Sequence, residues 1–171
     1  MLNKTKWILL FSVATMLSTP IFADITVTVY SIKDPKKSLG TITFKDDLYG
    51  LVIQPNLHGL SAGMHGIHVH EHDRCDEGGN KAGGHYDPKN TQQHLGPFNT
   101  EGHLGDLPAI YVDDRGASIH PVLAPRLQER DMYGHSIIIH EGNDNYSDFP
   151  KPMGGGGNRI ACAVIPKKIT S

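Results

Sequence analysis

Hydrophobic and polar positions alternate from residue 25 onward. Ile25, Val27 and Val29 interleave with Thr26, Thr28 and Tyr30, the period-two pattern of a strand with one buried face. Residues 41–45 and 51–54 repeat the pattern on either side of a polar turn containing Asp46, Asp47 and Gly50,. Further strands are expected over residues 66–71, 109–112, 118–122, 136–140 and 159–164. After residue 24 no stretch carries a helical period. Short strands joined by Gly- and Pro-containing turns, without helices, predict an all-β sandwich or barrel.

Two segments resist strand assignment. Residues 72–108 are rich in Gly, Asp, Asn and His, and residues 141–158 are rich in Gly and Asn. Structureless connections of this length in one domain are functional or need something to order them. A bound metal and a disulfide would both serve. The alternative, a linker between domains, fits poorly, because the first segment carries ligand-type residues throughout and the second leads into a strand.

The first 23 residues have a different character. Lys4 and Lys6 precede a short apolar run from Trp7 to Leu17, and residues 18–23 end in Ile21 and Ala23 at the −3 and −1 positions of a cleavage region. This is the layout of a secretory signal, and the apolar run is too short for a spanning helix. The chain therefore divides into a signal peptide, 1–23, and one domain, 24–171, with no stable membrane span after cleavage. Loss of the two lysines takes the formal charge from −2 to −4, which leaves no basic footprint for nucleic acid. Export also bears on Cys75 and Cys162. In an oxidising compartment a disulfide is the default for one remote pair, with two buried free thiols as the alternative.

Histidine changes the picture most. There are 11, clustered at ligand-compatible spacings. In Gly66-Ile67-His68-Val69-His70-Glu71, residues i and i+2 share a strand face, so His68 and His70 point one way while Ile67 and Val69 point into the core. His140 ends another apolar strand and can bring a third imidazole beside them. An all-imidazole set with an open position suits copper. The long first segment offers His85, His94, His103 and Asp106, a three-histidine, one-carboxylate set that suits zinc; with all four positions filled by protein, such a site is structural, not hydrolytic. His58, His65, His72, His120 and His135 read as surface or satisfied core residues, with His72 the one to watch beside the His68/His70 strand.

The segments GIHVHEH, GGHYDP, HLGP, GHLGDLP, GHSIIIHEG and GGGGNRIACAVI together resemble the copper/zinc superoxide dismutase family, and most of all its bacterial periplasmic branch. The resemblance runs in order over nearly the whole of 24–171. It implies a Greek-key β-sandwich or flattened barrel of about eight antiparallel strands with two long functional loops. It implies one copper and one zinc ion per subunit, with superoxide anion as substrate and oxygen and hydrogen peroxide as products. Copper ligands fall on His68, His70, His85 and His140, and zinc ligands on His85, His94, His103 and Asp106, so that His85 bridges the two metals and shares the chemistry. Arg159 matches the family's active-site arginine, Asp144 an aspartate hydrogen-bonded to both ligand sets, and Cys75 and Cys162 the half-cystine pair. A periplasmic location follows. The family branch includes both monomers and dimers, so a homodimer is one candidate assembly. A non-catalytic copper/zinc carrier on the same fold is the competing function, and Arg159 speaks against it because a metal store needs no anion site.

Overall fold

Alternation builds the first strand. In the computed structural model, which describes residues 24–168, strand β1 (Ile25–Ser31) buries Ile25, Val27 and Val29 and exposes Thr26, Thr28 and Tyr30. It pairs antiparallel with β2 (Ser38–Asp47), which pairs in turn with β3 (Gly50–Leu57). The turn between β2 and β3 is Leu48-Tyr49, with Asp47 opposite Gly50. The acidic residues therefore close the ladder, and Asp47 Oδ1 accepts the Tyr49 amide at 3.1 Å. The expected signal peptide lies outside the described residues.

Six more strands follow: β4 (Gly63–His65), β5 (Ile67–His70), β6 (Ile110–Val112), β7 (Val122–Ala124), β8 (His135–His140) and β9 (Arg159–Ile165). Seven strands form one curled antiparallel sheet in the order β5-β8-β9-β1-β2-β3-β7, and β4 and β6 form a small second sheet. The jumps that place β8 beside β5 and β9 beside β1 are the long-range returns of a Greek-key chain path. Among the described residues the helical structure is three single 3-10 turns, Asn80–Ala82, Glu129–Asp131 and Met153–Gly155.

The structure adds one strand to the expected set and moves another. β4 is three residues long and too short to show a period. The strand expected at 118–122 lies instead at Val122–Ala124, and Ser118 keeps one isolated bridge to Leu57. Pro121 has no amide hydrogen for a ladder, so continuous pairing starts only after it.

The main core joins Val29, Ile42, Phe44, Ile53, Val69 and Ile139 among others. A smaller cluster of Ala82, Ile138 and Cys162, with Ile32 and Cys75 against it, lies on the other face of the β8–β9 pair. Both faces of β5 are therefore covered. Ile67 and Val69 enter the main core as expected, and the opposite face, carrying His68 and His70, is also buried. The Cys75–Cys162 disulfide fastens the first long loop to β9.

Candidate metal centre

β5 is an edge strand of the large sheet. An edge strand leaves a row of backbone groups without strand partners, and here the first long loop takes them. Val69 N donates to Gly105 O at 3.0 Å, Tyr86 N donates to Val69 O at 2.8 Å, and Gly105 N donates to Tyr86 O at 2.8 Å. These bonds bring His85 opposite His70 and Asp106 opposite His68. Gly105 makes the approach feasible, because a Cβ there would lie 2.3 Å from Val69 O. The other side of β5 pairs with β8, with His68 opposite Ile138 and His70 opposite Ser136, and His140 ends β8 opposite Arg159 of β9.

Among the described residues two four-membered donor groups result. His68, His70, His85 and His140 form one, and His85, His94, His103 and Asp106 form the other; within each, the ligand-type atoms lie within 4.8 Å of one another and all the residues are buried. His85 belongs to both. In the second group the Nδ1 atoms of His85, His94 and His103 converge on Asp106 Oδ1 at 3.0, 3.0 and 3.2 Å.

Each remaining histidine of the first group has one nitrogen committed and one bare. His68 Nε2 donates to Asp144 Oδ2 at 2.6 Å, His70 Nδ1 to Gly83 O at 3.0 Å and His140 Nδ1 to Gly157 O at 3.2 Å. These acceptors fix the tautomers. The opposite atoms, His68 Nδ1, His70 Nε2 and His140 Nε2, are buried with no hydrogen-bond partner. A buried polar atom without a partner is destabilising unless something fills its need. Three bare imidazole lone pairs in one cluster, beside His85, fit a nitrogen-preferring metal such as copper.

Charge is distributed to match. Burial, aided by His85, lowers the pKa of His68 to about 3, and burial lowers that of His140 to about 4. Burial also holds His70 well below its ordinary value. These shifts favour neutral rings, the state a metal ligand requires. Burial opposes the Asp106 carboxylate, but hydrogen bonds from His103, His85 and His94 outweigh it and hold the carboxyl far below the usual range. Asp144 behaves alike through His68 and His94. Burial opposes charge on His94, yet hydrogen bonds to Asp106 and Asp144 carry it up to about 9.

Asp144 joins the two groups, accepting from His68 through Oδ2 and from His94 Nε2 through Oδ1 at 2.8 Å. Arg159 extends across the loop mouth, donating to Gly79 O at 2.5 Å and Gly83 O at 2.7 Å, and its charge acts on both His70 and His140. Gly83 O thus serves His70 and Arg159 together. Every residue singled out in the sequence for the two sites lies in this cluster, and Cys75 and Cys162 are bonded to each other.

Sequence reasoning passed over three supports. His65 is buried and donates from Nδ1 to His140 O at 2.7 Å; it is a satisfied core histidine, as expected, but its partner is a residue of the cluster. Asp148 accepts the His94 amide at 2.8 Å. Arg126 binds four carbonyls in the ligand loop. A lone arginine in Ala-Pro-Arg has no spacing that would mark it. His72 is exposed, and its amide donates to Ala82 O.

A curled Greek-key sheet with two adjoining histidine-rich donor groups, one holding a carboxylate, defines an all-β two-metal protein. The family model for copper/zinc superoxide dismutase (SODC) matches residues 38–165, and the chain belongs to that family. A copper-zinc superoxide dismutase of Photobacterium leiognathi is 43% identical, the match covering 96% of this chain and 99% of that one. One of Neisseria meningitidis is 50% identical, covering 85% of this chain and 84% of that one. The solved Cu/Zn superoxide dismutase from Brucella abortus superposes with a TM-score of 0.79 at 41% identity, covering 84% of this chain and 99% of that one. The chain is a superoxide dismutase that uses copper and zinc.

Proposed function

We propose that copper is held by His68, His70, His85 and His140, and zinc by His85, His94, His103 and Asp106. The observation that carries this reading is the set of three buried, partnerless nitrogens beside His85. Because His85 Nδ1 faces Asp106, its Nε2 is the atom left for the first group, so one imidazole links both. Copper supplies one-electron redox chemistry when bound, while zinc is redox-inert and structural. Overall, two superoxide anions and two protons become one dioxygen and one hydrogen peroxide.

The chain's own groups bind the anion and deliver protons. Arg159 presents a planar, permanently charged fork that attracts an anion and donates hydrogen bonds beside His70 and His140. The carbonyls of Gly79 and Gly83 hold that fork in place. With its Nε2 free of any metal, His85 would take up a proton there and pass it toward peroxide. Asp144 keeps His68 in the tautomer that bares its Nδ1 and holds the His94 ring through Nε2. A metal carrier would need open donors but no such guanidinium.

Residues 1–23 act as the export signal, residues 24–171 form the enzyme domain, and the enzyme works in the periplasm. The signal-like sequence and the Cys75–Cys162 bond, which belongs to oxidising compartments, support this. All donors of both groups come from one chain, so a homodimer, if formed, is not needed to complete the site; the solved Salmonella enterica neighbour is described as monomeric. Elemental analysis with superoxide decay tests the reading. One copper and one zinc per chain with fast decay is expected, and a fully metallated but inactive chain would refute it.

A further inference from the structure

The second donor group sits on chain without regular structure, so something must hold residues 94–106 in ligand-bearing shape. Four backbone bonds help: His103 N donates to Gln93 O at 2.9 Å, Asp106 N to His103 O at 3.4 Å, Gly105 N to Tyr86 O at 2.8 Å and Val69 N to Gly105 O at 3.0 Å. Much of the remaining constraint comes from Arg126. It lies in the turn two residues after β7, which is paired to β3, so its backbone is tethered to the sheet and is not part of the ligand segment. Its Nε donates to Pro97 O at 2.8 Å, one terminal nitrogen to Gly102 O at 3.3 Å, and the other to Gly96 O at 3.2 Å and His103 O at 2.5 Å.

All four of these bonds go to main-chain carbonyls. A guanidinium fork ordinarily finds a carboxylate, but this one grips the backbone on both sides of the ligand segment. Asp106 holds the same turn from within, since its Oδ2 accepts the amides of Leu95 and Gly96. Gly96 is therefore held at its carbonyl by Arg126 and at its amide by a residue of the donor group.

We propose that Arg126 is the positioning residue of the zinc site, holding the His94 and His103 turns in ligand geometry before the metal arrives and thereby setting zinc affinity. This rests on the assignment of zinc to His85, His94, His103 and Asp106. Ordering a free loop at the moment of binding subtracts from affinity, and a loop held in advance avoids that loss. Lysine cannot substitute, because an ammonium on a flexible stem has no planar fork to reach four carbonyls.

The test compares metal-free wild type with Arg126→Lys and Arg126→Gln. Zinc affinity is measured by chelator competition, geometry by the visible spectrum of cobalt(II) in the same site, and loop order by amide hydrogen exchange. In metal-free wild type the amides of Leu95, Gly96 and His103 are expected to be protected, and in both variants to lose that protection. Both variants are expected to bind zinc at least about tenfold more weakly, with metal-free thermal stability close to wild type. Wild-type affinity in both variants, full rescue by lysine, or weakening that tracks a loss of metal-free stability would each overturn the proposal. Unprotected loop amides in metal-free wild type would overturn it without reference to any variant. If wild type takes up no zinc or cobalt with four-coordinate signature, the ligand assignment fails and the proposal falls with it; unchanged binding in the variants alone sinks only the proposal.

Discussion

At the scale of single residues, the site is a set of imidazoles oriented by their partners, three of them with one nitrogen left bare. Asp144 holds His68 and His94 at once. Asp144→Asn leaves one carbonyl oxygen where two carboxylate oxygens served, and its amide donors oppose the N–H of the other ring. Zinc affinity is expected to fall about 10–100-fold, read by chelator competition on the folded protein. The role proposed for Arg159 is on the anion instead. Arg159→Ala is expected to lower the rate constant about tenfold and flatten its ionic-strength dependence with metal content unchanged; the family is itself a common illustration of electrostatic steering. An unaltered salt profile would count against the role. The histidines of the two donor groups were legible because strand spacing and repeated glycine-flanked histidines mark them. Arg126 and His65 were not, because a guanidinium on carbonyls and an imidazole on a carbonyl depend on distant backbone that one sequence does not display.

At the scale of elements, the design is an edge strand used as a mounting rail. β5 offers its main sheet partners on one side and receives the ligand loop on the other, so the loop is registered by ordinary β-type hydrogen bonds. Alternation made β1, β2, β3 and β5 readable, and apolar runs revealed β8 and β9. β4 stayed hidden because three residues carry no period, and β7 was displaced by Pro121. The loops could be read as functional from their length and composition, but not their path, which hydrogen bonds to β5 decide. The disulfide ties the outer part of that loop to β9 across 87 positions of sequence. Replacing both Cys75 and Cys162 by Ser is expected to remove about 2–5 kcal/mol of stability, measured by reversible denaturant unfolding. Because the same loop supplies Gly79 and Gly83 to Arg159, activity per bound copper is expected to fall as well.

For the molecule as a whole, the buried histidines couple stability to pH when metals are removed. His68 at about 3 and His140 at about 4 sit below the ordinary 6.5, so the unfolded chain takes up protons that the folded chain refuses. Their contribution is complete above about pH 6.5 and fades as pH falls toward 4, by up to about 1.4 kcal/mol per pH unit for each ring. His70 and His85 push in the same direction. His94, raised to about 9, works oppositely: its contribution is complete below about pH 6.5 and fades as pH rises toward 9. The metal-free protein is thus expected to be most stable near pH 6.5, with its denaturant midpoint lower at both pH 5 and pH 9. A midpoint unchanged between pH 6.5 and 5 would contradict this.

The three bare nitrogens carry a consequence beyond chemistry. Each is a packing defect of about 1–3 kcal/mol until something occupies it, and a ligand that binds only the folded chain adds stability in proportion to the logarithm of its supply. Proteases attack chains according to how often they open. A molecule that fails to collect its ions therefore advertises the failure through its own looseness. Scarcity of metal becomes a short lifetime, and the surviving population is enriched in working enzyme without any separate inspector.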